Sequence, residues 1–409
     1  MDLFCLQHRT KSSQANSLFA EKERNDMKNL ELYIHIPFCY KKCAYCDFLS
    51  FSCDEKTQLE YADALIREIE FYGPKMQEYL VSTVFVGGGT PTWLNEDKMV
   101  EILDAIYTYF NISADAEITM ECNPGTVTMA KLEKYRKAGV NRLSIGLQSA
   151  DDEELQILGR IHTFEKFVKT YEMARNAGFA NINVDLISGI PYQTAEKFLH
   201  TLQKVVWLKP NHISAYSLII EKGTPFYETY KFDAVKQEAG MPTEVLPTED
   251  EVYRITKLTQ QYLAQAGFVQ YEISNFAQPG FECVHNIGYW TRENYLGLGL
   301  GAASLLNNVR YTNTSDLEGY LAGELRVEEM PVSRKGQMEE FMFLGLRMNQ
   351  GVTRQQFQDT FGIPIDGVYK NALDHLKQEG LLDTSAGRIA LTEKGQDLSN
   401  YALAQFLIQ

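Results

Sequence analysis

From Glu31 onward, short runs of β-branched and aromatic residues alternate with longer segments whose apolar residues recur every three or four positions. That alternation predicts strand–helix units and a parallel sheet, because parallel neighbours need a crossover between them. Six strands are predicted, at Leu32–Ile36, Thr83–Gly87, Glu117–Glu121, Arg142–Gly146, Asn181–Asp185 and His212–Tyr216. Helical patterns fill the gaps, as in YADALIREIEFY and FLHTLQKVVWL. Six units rather than eight predict an α/β fold built as an incomplete (β/α)6 TIM-like barrel. The loops with unusual composition, CYKKCAYC, GGGTPT, CNPGT, LQS and ISGIP, mostly follow strand C-termini. In such folds those loops meet on one face, where sites are built.

After Ser217 the pattern changes. The stretch KGTPFYETYKFDAVKQEAGMPTEVLPTED is rich in turn formers and reads as an excursion. A helix over Glu251–Ala266 and a strand over Val269–Ile273 then resume the order. Residues 331–409 read as a small separate module of helices with the short hairpin LLDTSAGRIAL, an order that resembles a winged helix. The core is expected over 27–330. Residues 1–26, polar after MDLFCLQHRT and without the apolar segment of a signal peptide, are expected to be a disordered extension.

Composition removes several function classes. At 409 residues the chain holds roughly two to three domain-sized units. A net charge of −15 argues against nucleic acid or an anionic membrane surface as a partner. The winged-helix-like segment offers no exception: Lys335–Gln409 has seven Lys and Arg against nine Asp and Glu. No run reaches the ~18 apolar residues of a membrane span. The seven cysteines are an odd number clustered at one place, so reduced thiols in the cytoplasm are expected rather than a disulfide framework.

Cys39, Cys43 and Cys46 form C-x3-C-x2-C directly after the first strand. A structural zinc site wants four ligands, and His35 or Cys53 would have to complete it. An iron–sulfur cubane held by three thiolates leaves one iron open for another ligand, so three is also a complete set for that chemistry. Unrelated core cysteines are the third alternative.

With Tyr45 just before the third cysteine, this loop resembles that of the radical S-adenosylmethionine (SAM) superfamily. The resemblance implies a [4Fe-4S] cluster on Cys39, Cys43 and Cys46. Gly87, Gly88, Gly89 and Thr90 match the family loop that receives the amino end of SAM. Glu121, Gln148, Arg160 and Asp185 are implied as further SAM contacts, with carboxylates for ribose hydroxyls or ammonium and Arg160 for a carboxylate. Tyr33, six residues before Cys39, occupies a family position or fills the barrel. YIHIPFC, VGGGTPTWL, RLSIGLQS, DLISGIPYQT, YEISNFAQPGFE and HNIGYW further resemble the oxygen-independent coproporphyrinogen III oxidase group, and within it the heme-chaperone branch, HemW.

Two departures from the oxidase point to the chaperone branch: Phe48, following Asp47, stands where the oxidase has a fourth cysteine, and the oxidase's longer N-terminal segment is absent. His285, in HNIGYW, resembles the branch's heme motif. A neutral imidazole gives heme iron an axial bond, and Tyr289 and Trp290 offer flat faces to a porphyrin. The alternative for His285 is a buried, hydrogen-bonded core histidine; Cys283 is incidental. The resemblance therefore implies a heme-binding chaperone passing heme to a membrane or respiratory acceptor, as monomer or dimer. Oxidative decarboxylation of coproporphyrinogen III is the competing function.

Overall fold

In strand β1 (Lys28–Ile36), Leu30, Leu32, Ile34 and Ile36 are wholly buried in the main apolar cluster. The alternate positions Glu31, Tyr33 and His35 face the other side, as the two-residue period of a strand requires. That second side is a polar interior. The computed structural model that shows this describes residues 27–408, so the expectation for residues 1–26 falls outside the described residues.

β2 (Tyr79–Gly88), β3 (Ile112–Cys122), β4 (Arg142–Gln148), β5 (Asn181–Ser188) and β6 (His212–Ser217) follow β1 in parallel, each paired with its predecessor. All six predicted strands are present. Helices α1 (Glu55–Tyr72), α2 (Glu96–Tyr109), α3 (Met129–Lys137), α4 (Asp152–Ile157), α5 (Phe164–Asn176) and α6 (Ala195–Trp207) make the crossovers. Asp54, Asn95, Thr128, Asp151, Thr163 and Thr194 cap them, each side chain accepting from a first-turn amide.

The excursion after Ser217 differs from its sequence reading. Its first half is a helix, α7 (Pro225–Glu238), started by Thr224 as cap and Pro225 in the first turn. Its apolar residues are scattered around the axis: Phe226 is buried while Phe232 is 76% exposed, so no one-sided pattern announces it. The Asp233 carboxylate then accepts from the amides of Glu244, Val245 and Leu246 at 2.7–2.8 Å, folding the following loop back on the helix. α8 (Glu249–Gln265) is present where a helix was expected. The strand expected over Val269–Ile273 is shorter, β7 (Val269–Gln270), because Glu272 leaves the sheet to bridge Met348. β8 (Asn275–Ala277) pairs antiparallel with β6 and β7.

α9 (Val284–Thr291) precedes β9 (Tyr295–Leu298), which runs parallel to β1 on its far side. β10 (Ala303–Leu306), β11 (Val309–Asn313), α10 (Leu317–Ala322) and β12 (Arg326–Pro331) complete this half. The twelve strands form one open sheet, in the order β12-β11-β10-β9-β1-β2-β3-β4-β5-β6-β8-β7. The barrel is thus incomplete, with the parallel strands β1–β6 at its centre and β9 parallel beside β1.

The remaining chain has its own apolar cluster, which includes Met342, Phe357, Tyr369, Leu376, Ile389 and Phe406. Its order is α11 (Arg334–Gly345), β13 (Val352–Thr353), α12 (Arg354–Phe361), α13 (Asp366–Gln378), β14 (Leu382–Asp383), β15 (Arg388–Leu391), α14 (Glu393–Asp397) and α15 (Ser399–Ala404). This part meets α9 directly. The Arg347 guanidinium lies 4.5 Å from the Trp290 ring centroid, and Arg292 pairs with Glu340 at 2.8 Å.

Candidate functional site

The cysteine loop leaves β1 and is tied at its neck, where the Cys39 amide donates to the Phe51 carbonyl (3.0 Å) and the Phe51 amide to the Pro37 carbonyl (2.9 Å). Inside it, Cys39, Cys43 and Cys46 are partly exposed. Each thiol has a polar neighbour. Thr90 Oγ1 lies 3.6 Å from Cys39 Sγ, Arg160 Nη1 lies 3.5 Å from Cys43 Sγ, and Ser50 Oγ lies 3.8 Å from Cys46 Sγ. Among the described residues no three Cys, His, Asp or Glu side chains stand close enough to enclose a lone metal ion. Three partly exposed thiols on one loop are the donor set of an iron–sulfur group held by three thiolates.

His35 is fully engaged. Its Nε2 meets the Leu49 carbonyl at 2.9 Å, and a carbonyl only accepts, so Nε2 carries the hydrogen and Nδ1 accepts from Tyr33 Oη at 3.0 Å. Burial pushes its pKa down, consistent with a neutral ring. Tyr33 is thereby tied to the returning leg of the cysteine loop. Cys53 packs on the core beside the α1 cap, and burial and Asp54 push its thiol up to about 11.

The GGGTPT loop is zipped to the same segment: the Gly89 amide donates to Ile36 and the Thr90 amide to Phe38, both at 2.8 Å. Gly88 has φ +115°, and a Cβ there would stand 2.6 Å from the His35 ring; a Cβ at Gly89 would stand 2.8 Å from the Phe38 carbonyl oxygen. Only glycine permits this approach. Gly87 precedes them, where a Cβ would crowd Phe85 and Glu121.

Glu121, next to last in β3, accepts from the Gly88 amide at 3.0 Å. Burial, reinforced by Asp185, pushes its carboxyl up to about 8. Burial likewise raises Asp185 on β5, against stabilising bonds from Ser144 Oγ (2.7 Å) and Asn183 Nδ2 (2.8 Å). Two buried carboxyls in mutual repulsion suit a ligand carrying positive charge and hydroxyl groups. Gln148 closes β4 in the left-handed region (φ 73°), and its amide lies over Gly146, where a Cβ would be 2.9 Å from Nε2.

Arg160 joins these parts. Its Nη2 donates to Asn123 Oδ1 (2.8 Å) and to the Gly146 carbonyl (2.9 Å), and Asn123 Nδ2 donates to Thr90 Oγ1 (2.7 Å). One polar chain thus runs Cys43–Arg160–Asn123–Thr90–Cys39. Asn123 escaped the sequence reading, although it lies in the CNPGT loop. Tyr45 packs edge-on against Phe226 at 6.3 Å, and the Phe226 amide donates to the Ala44 carbonyl at 3.0 Å, so α7 covers one side of the cysteine loop.

His285 is apart from this group. Phe85 stacks on its ring at 5.1 Å, and Tyr33, which bonds His35, stacks on Phe85 at 6.4 Å, so two aromatic rings lie between His285 and His35. His285 is 1% exposed, with Nδ1 at 2.7 Å from Thr83 Oγ1 and Nε2 at 3.0 Å from Tyr289 Oη. Burial, with Arg142 adding to it, pushes its pKa down to about 3. In this conformation it is the buried, hydrogen-bonded histidine of the alternative reading. Trp290 faces Arg347, and the buried Cys283 thiol lies 3.5 Å from Glu117.

Residues 33–205 match the family model of the radical SAM superfamily, and residues 332–398 that of the HemN C-terminal domain. The chain is 35% identical over 381 residues to the heme chaperone HemW of Bacillus subtilis (strain 168), covering 92% of this chain and 98% of that protein. The chain belongs to the HemW family. HemW of Escherichia coli (strain K12) is also 35% identical, over 386 residues, covering 93% of this chain and 98% of that one. Among solved structures, the coproporphyrinogen III oxidase HemN from Escherichia coli, described as a radical SAM enzyme, superposes with a TM-score of 0.80 at 26% identity, covering 94% of this chain and 91% of that one. The similarity to HemW thus extends through both the sheet and the C-terminal helical part.

Proposed function

We propose that this protein is a heme chaperone: it binds heme and hands it to an acceptor protein, which we take to be respiratory and membrane-bound. The observation that carries the reading is the 35% identity running over 98% of a HemW. No helix among the described residues is long and apolar enough to cross a membrane.

Within this reading Cys39, Cys43 and Cys46 hold a [4Fe-4S] cluster, and Gly87–Thr90, Glu121, Gln148, Arg160 and Asp185 hold SAM, with Tyr33 and Tyr45 packing beneath. A cluster held by three thiolates leaves an open iron and supplies one-electron chemistry to a bound sulfonium. Arg160 takes the carboxylate end of the ligand while keeping the thiol loop and Asn123 in register. Glu121 and Asp185 supply acceptors for ammonium or ribose hydroxyls. Gly88 and Gly89 let this loop pack directly on His35 and Phe38, which keeps it beside the cysteine loop. His285, released from Tyr289, would offer a ring nitrogen to heme iron. The sheet with its flanking strands (27–330) and the C-terminal module (331–409) act as separate units in this scheme.

The fold shared with HemN keeps a second reading in play, the oxidative decarboxylation of coproporphyrinogen III. One anaerobic assay separates the two. Reconstituted protein is given SAM, reductant and coproporphyrinogen III. Little or no protoporphyrinogen, together with stoichiometric heme binding that His285→Ala loses, is expected; protoporphyrinogen formed over many turnovers would sink the chaperone reading.

A further inference from the structure

Helix α9 carries His285 at its second position but has no cap of its own: Cys283, at the N-cap, provides no side-chain acceptor for the first amides. Such amides need acceptors when buried. They find them in a residue far away in the chain. Glu117, on β3, accepts from the Val284 amide through Oε2 (3.2 Å) and from the His285 amide through Oε1 (3.3 Å), and the Cys283 thiol lies 3.5 Å from Oε1. Behind the carboxylate stands Arg142, 1% exposed, with Nε 4.0 Å from Glu117 Oε2.

Sheet register explains why this grip falls on His285. Glu31, Thr83 and Glu117 are Cα partners across β1, β2 and β3. All three touch the same turn of α9. Thr83 holds the His285 ring from below at 2.7 Å, and Glu31 fills the space beside Gly288, where a Cβ would overlap the carboxyl. Thr83 and Glu31 address a ring and a backbone position. Glu117 alone addresses the start of the helix, with a negative group at the positive end of the peptide dipoles.

We infer that Glu117 is a positioning residue for heme ligation, setting the place and orientation from which His285 offers its ring nitrogen to heme iron. The inference rests on the heme-chaperone reading and assigns Glu117 no contact with heme. Glutamine cannot replace it: both carboxylate oxygens face donors from residues 283–285, Oε2 the Val284 amide and Oε1 the His285 amide and the Cys283 thiol, so an amide NH2 would oppose one of them.

The test titrates the full-length wild type, Glu117→Gln, Glu117→Asp and His285→Ala with ferric hemin, following visible absorption and electron paramagnetic resonance. Circular dichroism and anaerobic cluster assembly serve as controls for folding. Folded Glu117→Gln is expected to weaken hemin binding at least about tenfold and to shift the axial-ligand spectrum towards that of His285→Ala, whereas a purely structural role would leave that spectrum alone. Glu117→Asp keeps the charge but withdraws it by one methylene, and is expected to shift the spectrum part of the way. Wild-type spectrum and affinity in folded Glu117→Gln would overturn the inference; if that variant fails to fold, the same result in Glu117→Asp would do so. Wild-type hemin binding by His285→Ala overturns it by a different route, because the heme role of His285 itself then falls.

Discussion

Tyr289 Oη holds Nε2 of His285 at 3.0 Å from one turn further along the same helix. The other ring nitrogen is held by Thr83, so an iron atom can be ligated only after one hydroxyl is displaced. The ring needs no deprotonation first, because burial keeps its pKa near 3. On the proposed reading, heme iron would compete with the Tyr289 hydroxyl for Nε2 of His285.

Removing the competitor should help the ligand. Tyr289→Phe keeps the flat ring and deletes the hydrogen bond, a change of about 1 kcal/mol that corresponds to about fivefold tighter hemin binding. Equilibrium titration checks this. Weaker binding in a folded Tyr289→Phe protein would mean that the hydroxyl supports ligation rather than opposing it.

The thiols divide into two groups. Ala at Cys39, Cys43 or Cys46 should abolish cluster assembly after anaerobic reconstitution, measured as iron and sulfide per chain. Cys53→Ala should assemble normally, since that thiol packs against the core beside α1. Equal loss at Cys53 would make it a fourth ligand.

Arg160 and Asn123 should separate ligand binding from cluster assembly. Arg160→Ala removes charge-assisted hydrogen bonds of about 1.5–3 kcal/mol each, so SAM affinity should fall by at least about tenfold with iron content preserved. Asn123→Ala leaves the charge in place but frees Arg160 and Thr90, and a smaller loss is expected. Isothermal titration on the reconstituted protein distinguishes the two; an Arg160→Ala protein with wild-type affinity would remove Arg160 from the site.

Glu121 makes ligand binding depend on pH. In the free protein burial and Asp185 push its carboxyl up to about 8, whereas beside the ammonium or sulfonium of the proposed ligand it would be ionised. Binding then releases a proton below pH 8, so SAM affinity should rise with pH, by up to about tenfold per unit, and level off near 8. Glu121→Gln should flatten the dependence. A wild-type affinity constant between pH 6.5 and 8.5 would show that Glu121 does not ionise on binding.

The chain's local patterns were sufficient for all six central strands, because each alternates or concentrates apolar residues over five or more positions. α7 was missed for the opposite reason, with Phe226 buried and Phe232 exposed on a helix that has no single apolar face. The strand after α8 was overextended because nothing local tells that Glu272 bridges to Met348.

By itself the sequence determined the thiol spacing, the glycine loop and the alternation that orders the sheet, since each is a pattern among residues close together along the chain. Tertiary structure alone decided that Asn123 bridges Arg160 to Thr90, that α7 covers the cysteine loop, and that His285 is buried. It also decided that Glu117, 168 residues before His285, caps the helix that carries it. The physical reason is that a hydrogen bond depends on which side chains the sheet register brings within about 3 Å, and register joins residues whose separation along the chain carries no periodic signal.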